Sequence, residues 1–169
     1  MSKDLRGDLK GLEAMVQDLK AEWEIRNLIA TYMLRADVRD AEGVSELFAK
    51  DGVLDIEGLR IPGLEETKYK GREAITKLFR EVIGPVPCFM WHLAHTPLIE
   101  VHGNNAIGQW AWTALIRFPD SDAMECGGIY NDEYVKTDGG WKIKKKVITA
   151  WYMMDFGKWD NERFFGPTR

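Results

Sequence analysis

The sequence predicts an α+β domain, with N-terminal helices packed into a strongly curved mixed or antiparallel β-sheet around an internal cavity. Three observations predict it. The first half repeats its apolar residues at helical spacing, while the second half is a series of long β-branched and aromatic runs separated by turns rich in Gly, Asn and Asp. One of these runs, between Gly108 and Phe118, carries only Trp110, Trp112, Ala114, Ile116 and Phe118 on one face. Long strands curled around helices enclose a cone, and a hollow cone needs such an apolar lining; ordinary packing against the helices is the other use of this face.

From Leu5 to about Val38 the pattern is helical. Leu5, Leu12 and Leu19 repeat every seven residues, extended by Val16 and Trp23, and Ile25, Leu28, Ile29, Tyr32 and Met33 then keep a 3.6-residue period. The stripe of residues 1–20 is thin and contains Gly7 and Gly11, so that part reads as a helical arm on the domain or on a neighbouring subunit, with a frayed terminus as the alternative. Asp40 to Lys50 is a second short helix with Asp40 as N-cap. Asp51-Gly52 turns the chain into a strand, Val53 to Glu57, and the irregular Gly58 to Lys70 is a small hairpin or a flap. A third helix runs from Arg72 to about Ile83, ended by Pro85 and Pro87.

The rest reads as a β-meander. Phe89 to Val101 is apolar enough for a strand buried on both faces, Ala106–Phe118 follows the turn at residues 102–105, and Glu125–Lys136 follows the turn at residues 119–122. Trp141–Met154 closes the sheet, its lysines 142, 144 and 146 reading as a solvated face. The tail, 155–169, carries Phe156, Trp159, Phe164 and Phe165 and needs something to dock on. The whole is a single domain, 21–154, between the arm and the aromatic tail.

Composition narrows the function. The net charge of −4 and pI near 5.5 argue against a nucleic-acid partner. No apolar run is long enough to span a bilayer, the start has no signal-peptide hydrophobic region, and Cys88 and Cys126 have no metal-ligand spacing, which together read as a reduced, cytoplasmic setting without a membrane partner. Nucleotide-binding glycine loops, serine-nucleophile elbows and cysteine zinc patterns are absent. Within Phe89–Val101, His92 and His95 are three apart, so an extended strand points them to opposite faces and opposes a shared metal. His92 shares its face with Met90; an imidazole in such surroundings is a proton-transfer group.

The matching residues are Tyr32-x4-Asp37, Leu47-Phe48-Ala49-x-Asp51-Gly52, Gly71-x2-Ala74-Ile75, His92-x2-His95-x-Pro97-x-Ile99 and the hairpin from Gly127-Gly128-Ile129-Tyr130 to Trp141-x-Ile143. In these motifs the chain resembles the SnoaL-like branch of the nuclear transport factor 2-like superfamily, nearest to a lyase group with scytalone dehydratase, bile acid 7α-dehydratase and hexachlorocyclohexane dehydrochlorinase. The resemblance implies a lyase without metal or organic cofactor. His92 matches the catalytic histidine, and Tyr32 and Asp37 match the pair supplied by the first helix. Ala114 and Ala150 stand where the bile acid enzyme has an acid and an arginine, which argues against bile acids, and the tryptophan-rich face suits a flat aromatic substrate.

In that frame His92 removes or relays a proton and Asp37 orients it. Tyr32 and Asp37 are about 140° apart on a regular helix, so both reach one cavity only if the helix loosens after Leu34. Arg35, on the face of Tyr32, stabilises a phenolate or else pairs with Asp37 or Asp40. Met90, Trp110, Trp112, Tyr130 and Tyr152 are the expected substrate contacts. Dehydration and retro-aldol release of formaldehyde through a quinone methide both use this equipment. The alternatives are a non-catalytic small subunit of an aromatic-ring dioxygenase and an isomerase of the ketosteroid type, the latter needing an acid at Ala114. The amphipathic arm predicts a homo-oligomer; the resemblance favours a trimer, with a dimer as the other choice.

Overall fold

The computed structural model describes residues 2–57, 66–86, 88–119 and 123–155. Of the expected hairpin or flap (58–70) residues 58–65 lie outside them, as do residues 156–169 of the aromatic tail (155–169). The first helix, α1, is continuous over Ser2–Asp37, and its Ile25, Ile29, Tyr32, Met33 and Ala36 enter the core. It ends in a Schellman turn: Asp40 N–H bonds Arg35 O, Arg39 N–H bonds Ala36 O, and Arg39 takes the left-handed conformation at φ 59°. Asp40 then caps the second helix, α2 (Ala41–Glu46), by accepting from Gly43 N–H at 2.9 Å. The third helix, α3 (Arg72–Lys77), widens into a π-helical stretch over Leu78–Ile83.

Seven strands form one sheet: β1 (Phe48–Glu57), β2 (Lys68–Lys70), β3 (Phe89–Ala94), β4 (Leu98–His102), β5 (Asn105–Arg117), β6 (Ala123–Thr137) and β7 (Gly140–Asp155). The order is β2-β1-β7-β6-β5-β3, with β4 also on β5; only β1 and β7 run parallel. The helices lie against the concave face, where Leu54, Ile56, Trp112, Ala114, Cys126, Tyr130 and Ile148 meet α1 and α3 in one core. This is the expected mixed, curved sheet with helices.

Four sequence expectations need correction. The segment from residue 48 to 50 is strand, not helix: β1 begins at Phe48 and absorbs Asp51-Gly52 as an irregularity in its register with β7. Phe89–Val101 is two strands along β5, interrupted at residues 95–97, because Pro97 has no N–H to give the ladder. It is not buried on both faces either, since Phe89, Trp91 and Leu93 are 42%, 50% and 37% exposed on the convex side. The fourth concerns the lysines of β7. Tyr134 pairs with Ile143 but Glu133 pairs with Lys145, so Lys144 is a bulge residue that reverses the alternation. Lys146 consequently points inward and is fully buried.

Candidate active site

The concave face of the sheet is a set of rows, each crossing neighbouring strands by register. His92 (β3), Ala114 (β5), Cys126 (β6) and Met153 (β7) form one row. Towards the open end lie Met90, Ile116 and Met124; deeper lie Trp112, then Tyr130 and Ile148. Between these rows and the helices is a cavity of about 290 Å³, closed on the helix side by Tyr32, Ala36, Phe79 and Ile83. Its polar groups are few: the His92 imidazole, the phenols of Tyr32 and Tyr130, the thiols of Cys88 and Cys126, and the indole of Trp112, whose buried Nε1–H has no partner among the described residues.

His92 is held from behind. Asp37, the last residue of α1, places Oδ1 2.6 Å from His92 Nδ1, and the His92 backbone N–H donates to both carboxylate oxygens at 3.1 Å. Asp37 is absent from the cavity lining and touches the site through the ring, so the helix need not loosen for it to act beside Tyr32. The Schellman turn brings this about: it swings the chain away after Asp37, and Arg39 reaches back to the Cys88 carbonyl and, at 3.2 Å, to Cys88 Sγ at the entry to β3. An ionised Asp37 takes Nδ1–H, which leaves the Nε2 lone pair as a base.

Of the other expected site residues, Tyr32, Met90, Trp112 and Tyr130 line the cavity. Arg35, Trp110 and Tyr152 do not. Arg35 points at α2, donating to Gly43 O at 2.5 Å with Glu46 and Asp40 at 3.6 and 3.9 Å, because only Tyr32 of the pair faces the sheet. Trp110 lies past the narrow end, its Nε1–H bonded to Tyr134 Oη at 2.9 Å. Tyr152 is turned out by a second bulge: Gly127 pairs with Tyr152 but Gly128 with Ala150, so Trp151 is extra and Met153 takes the inward place. A Cβ at Gly128 would lie 1.9 Å from Thr149 O, so only glycine lets the strands close here. The Tyr152 hydroxyl donates to Glu125 at 2.5 Å on the surface. His95 is likewise outside, at 2.9 Å from Thr113 Oγ1. Among the described residues no cluster of His, Cys, Asp and Glu is placed to hold a metal.

Beneath the cavity floor lies a group that the sequence reading missed. Lys146 Nζ is 2.7 Å from Asp132 Oδ2, Tyr134 donates to the same oxygen at 2.7 Å, and Asp132 Oδ1 has no partner among the described residues. Burial pushes the Asp132 carboxyl up and the Lys146 ammonium down, and their mutual attraction opposes both shifts. The ammonium lies 3.9 Å from the Tyr130 ring centre and 4.8 Å from that of Tyr32, and Tyr130 stacks on Trp112 at 5.3 Å. Burial raises both phenols far above their ordinary range, so they remain protonated hydrogen-bond donors. The signal available in the sequence was the adjacent apolar pair Val147-Ile148, which cannot continue a strict alternation from Trp141 and Ile143.

The two cavity thiols differ. Cys126 is 1% exposed, and burial with Glu125 nearby pushes its thiol up to about 11, whereas Cys88 is half-buried at the entry to β3. At pH 8 a bulky disulfide reagent is expected to label Cys88 quickly and Cys126 only after unfolding; two fast thiols in the folded protein would contradict this placement.

Residues 17–147 match the family model of the SnoaL-like domain. An uncharacterized protein of Mycobacterium tuberculosis is 24% identical over 136 residues, covering 79% of this chain and 88% of its own. Among the solved structures that share the fold are two named as enzymes. The hexachlorocyclohexane dehydrochlorinase of type 3 from Novosphingobium barchaimii has a TM-score of 0.72 at 20% identity, over 84% of this chain and 94% of that one. A putative scytalone dehydratase from Novosphingobium aromaticivorans has a TM-score of 0.69 at 22% identity, over 86% and 91%. No helix among the described residues is long and apolar enough to cross a membrane.

Proposed function

The chain belongs to the SnoaL-like domain family of the nuclear transport factor 2-like superfamily, and from that premise we propose that it is a cofactor-independent lyase acting on a hydroxylated, largely apolar, aromatic small molecule. The observation that carries this reading is the histidine–carboxylate pair set into the wall of an apolar cavity. Water exclusion strengthens every polar contact the bound molecule makes. With Nδ1–H held by Asp37, Nε2 accepts a proton from the substrate. Tyr32 and Tyr130, both protonated, donate to the oxygen on which negative charge grows or which departs. Arg35, engaged at the α1–α2 turn, takes no part.

Two reactions fit this equipment. In dehydration a C–H proton goes to Nε2, its electron pair forms the double bond, and hydroxide leaves with a donated proton as water. In retro-aldol cleavage the phenol first gives up its proton and the benzylic hydroxide leaves with a donated proton as water, forming a quinone methide. Nε2 then takes the hydroxyl proton of a neighbouring hydroxymethyl group, the C–C bond breaks, formaldehyde leaves, and the electron pair forms the new C=C bond as the ring returns to a phenolate. The names of the dehydrochlorinase and the scytalone dehydratase denote eliminations, which supports the first. Ala114 faces His92 in register, so no acid of the ketosteroid-isomerase kind stands on that strand. A panel of hydroxylated aromatics, incubated with metal-free protein and followed by mass, is the test. Loss of water or of formaldehyde that disappears in His92→Gln is expected; a product formed equally fast by H92Q would overturn the proposal.

A further inference from the structure

Every described side chain of α1 from residue 7 to 20 is exposed, although the helix is continuous into the core. An isolated helix of that length is marginal in water, and Gly7 and Gly11 weaken it by roughly 1 kcal/mol each. What covers this segment is legible from its own spacing. Leu9, Leu12, Val16, Leu19 and Trp23 follow one another at alternating steps of three and four, and all are 51–64% exposed. That is a strict heptad seam with a mean period of 3.5, the period of a left-handed coiled coil rather than of a helix lying on a globular core.

The seam faces away from its own domain. At about 100° per residue it sits roughly 150° round the helix from the stripe of Ile25, Ile29, Tyr32 and Ala36 that enters the core. Residues 7, 14 and 21, opposite the seam, are the small Gly7, Ala14 and Ala21. Because the helix is unbroken, the arm cannot turn this face onto the sheet that α1 already covers.

We propose that the arm pairs with the same arm of a second copy of this chain in an antiparallel two-stranded coiled coil. Charge selects the orientation. A parallel pair would set Asp8 of one copy beside Glu13 of the other, a repulsion repeated by symmetry; an antiparallel pair sets Glu13 of each copy opposite Lys20 of the other, an attraction repeated by symmetry. The area suffices. Five seam residues and Met15, 61% exposed beside them, carry on the order of 100 Å² each. Two copies therefore bury on the order of 1,200 Å² together, the size of a small stable interface. The contact is independent of any between domains, so it doubles whatever assembly the domains form.

Light scattering on the full chain at micromolar concentration tests this. Leu12→Asp with Leu19→Asp is expected to halve the molar mass and lower the far-ultraviolet helical signal, leaving the thermal transition of the domain in place. Lys20→Glu alone should shift the equilibrium towards the halved mass, and Glu13→Lys with Lys20→Glu should restore it. An unchanged mass in L12D/L19D overturns the pairing, and failure of the charge exchange to restore it overturns the antiparallel arrangement.

Discussion

Replacing His92 by Ala is expected to lower turnover at least ~100-fold, the usual contribution of a positioned general base. The loss should fall on kcat, because the ring accepts its proton in the transition state while the apolar walls that bind the molecule remain. Asp37→Asn should give a fall of comparable size by a different route. An amide in place of the carboxylate, 2.6 Å from Nδ1, presents either an oxygen or an NH2 group to the ring. In the second case the proton moves to Nε2 and the base is lost. The carboxylate also receives the His92 backbone N–H, so D37N loosens the junction of α1 with β3 and its melting temperature must be read beside its rate. Steady-state kinetics on whichever panel member reacts, with thermal unfolding of each variant, check this. An H92A protein that keeps its fold and its kcat would remove the imidazole from the mechanism.

The second large effect is on stability. Lys146→Met or Asp132→Asn, each alone, is expected to cost about 3–5 kcal/mol, because each strands a buried partner without its counter-charge. Asp132 would leave Lys146 between two phenol rings, and Lys146 would leave a carboxylate whose Oδ1 is already unpartnered. The double variant K146M/D132N should cost clearly less than the two singles together, since it removes both charges from the interior. Urea unfolding of the four proteins closes the cycle. Additive losses would show that the two groups do not act as a pair.

Much of the fold was legible because periodicity survives in one sequence. The 3.6-residue repeat from Ile25 to Met33 marks the buried face of α1, and the turns at residues 102–105 and 137–140 mark hairpins that the structure forms. Alternation failed where a strand inserts a residue. Lys144 and Trp151 each reverse the inward set of β7, which buried an expected surface lysine and exposed an expected pocket tyrosine. A bulge leaves little trace in composition, so parity counted from Trp141 and Ile143 is wrong between the two bulges, where Lys146 and Ile148 face inward, and is restored after the second, at Met153. Helical angle misleads for another reason: the 140° between Tyr32 and Asp37 demands a loosened helix only if both line the cavity, whereas Tyr32 lines it and Asp37 grips the ring from outside.

The open end of the cavity is edged by three thioethers, Met90 on β3, Met124 on β6 and the half-exposed Met153 on β7. An unbranched, polarisable side chain has no fixed outline and re-forms around whatever leans on it. The deep end, by contrast, is made of stacked rings pinned by a cation. Such a vessel is strict about what enters first and lenient about what trails behind, so it suits a set of congeners that share one head group more than a single compound.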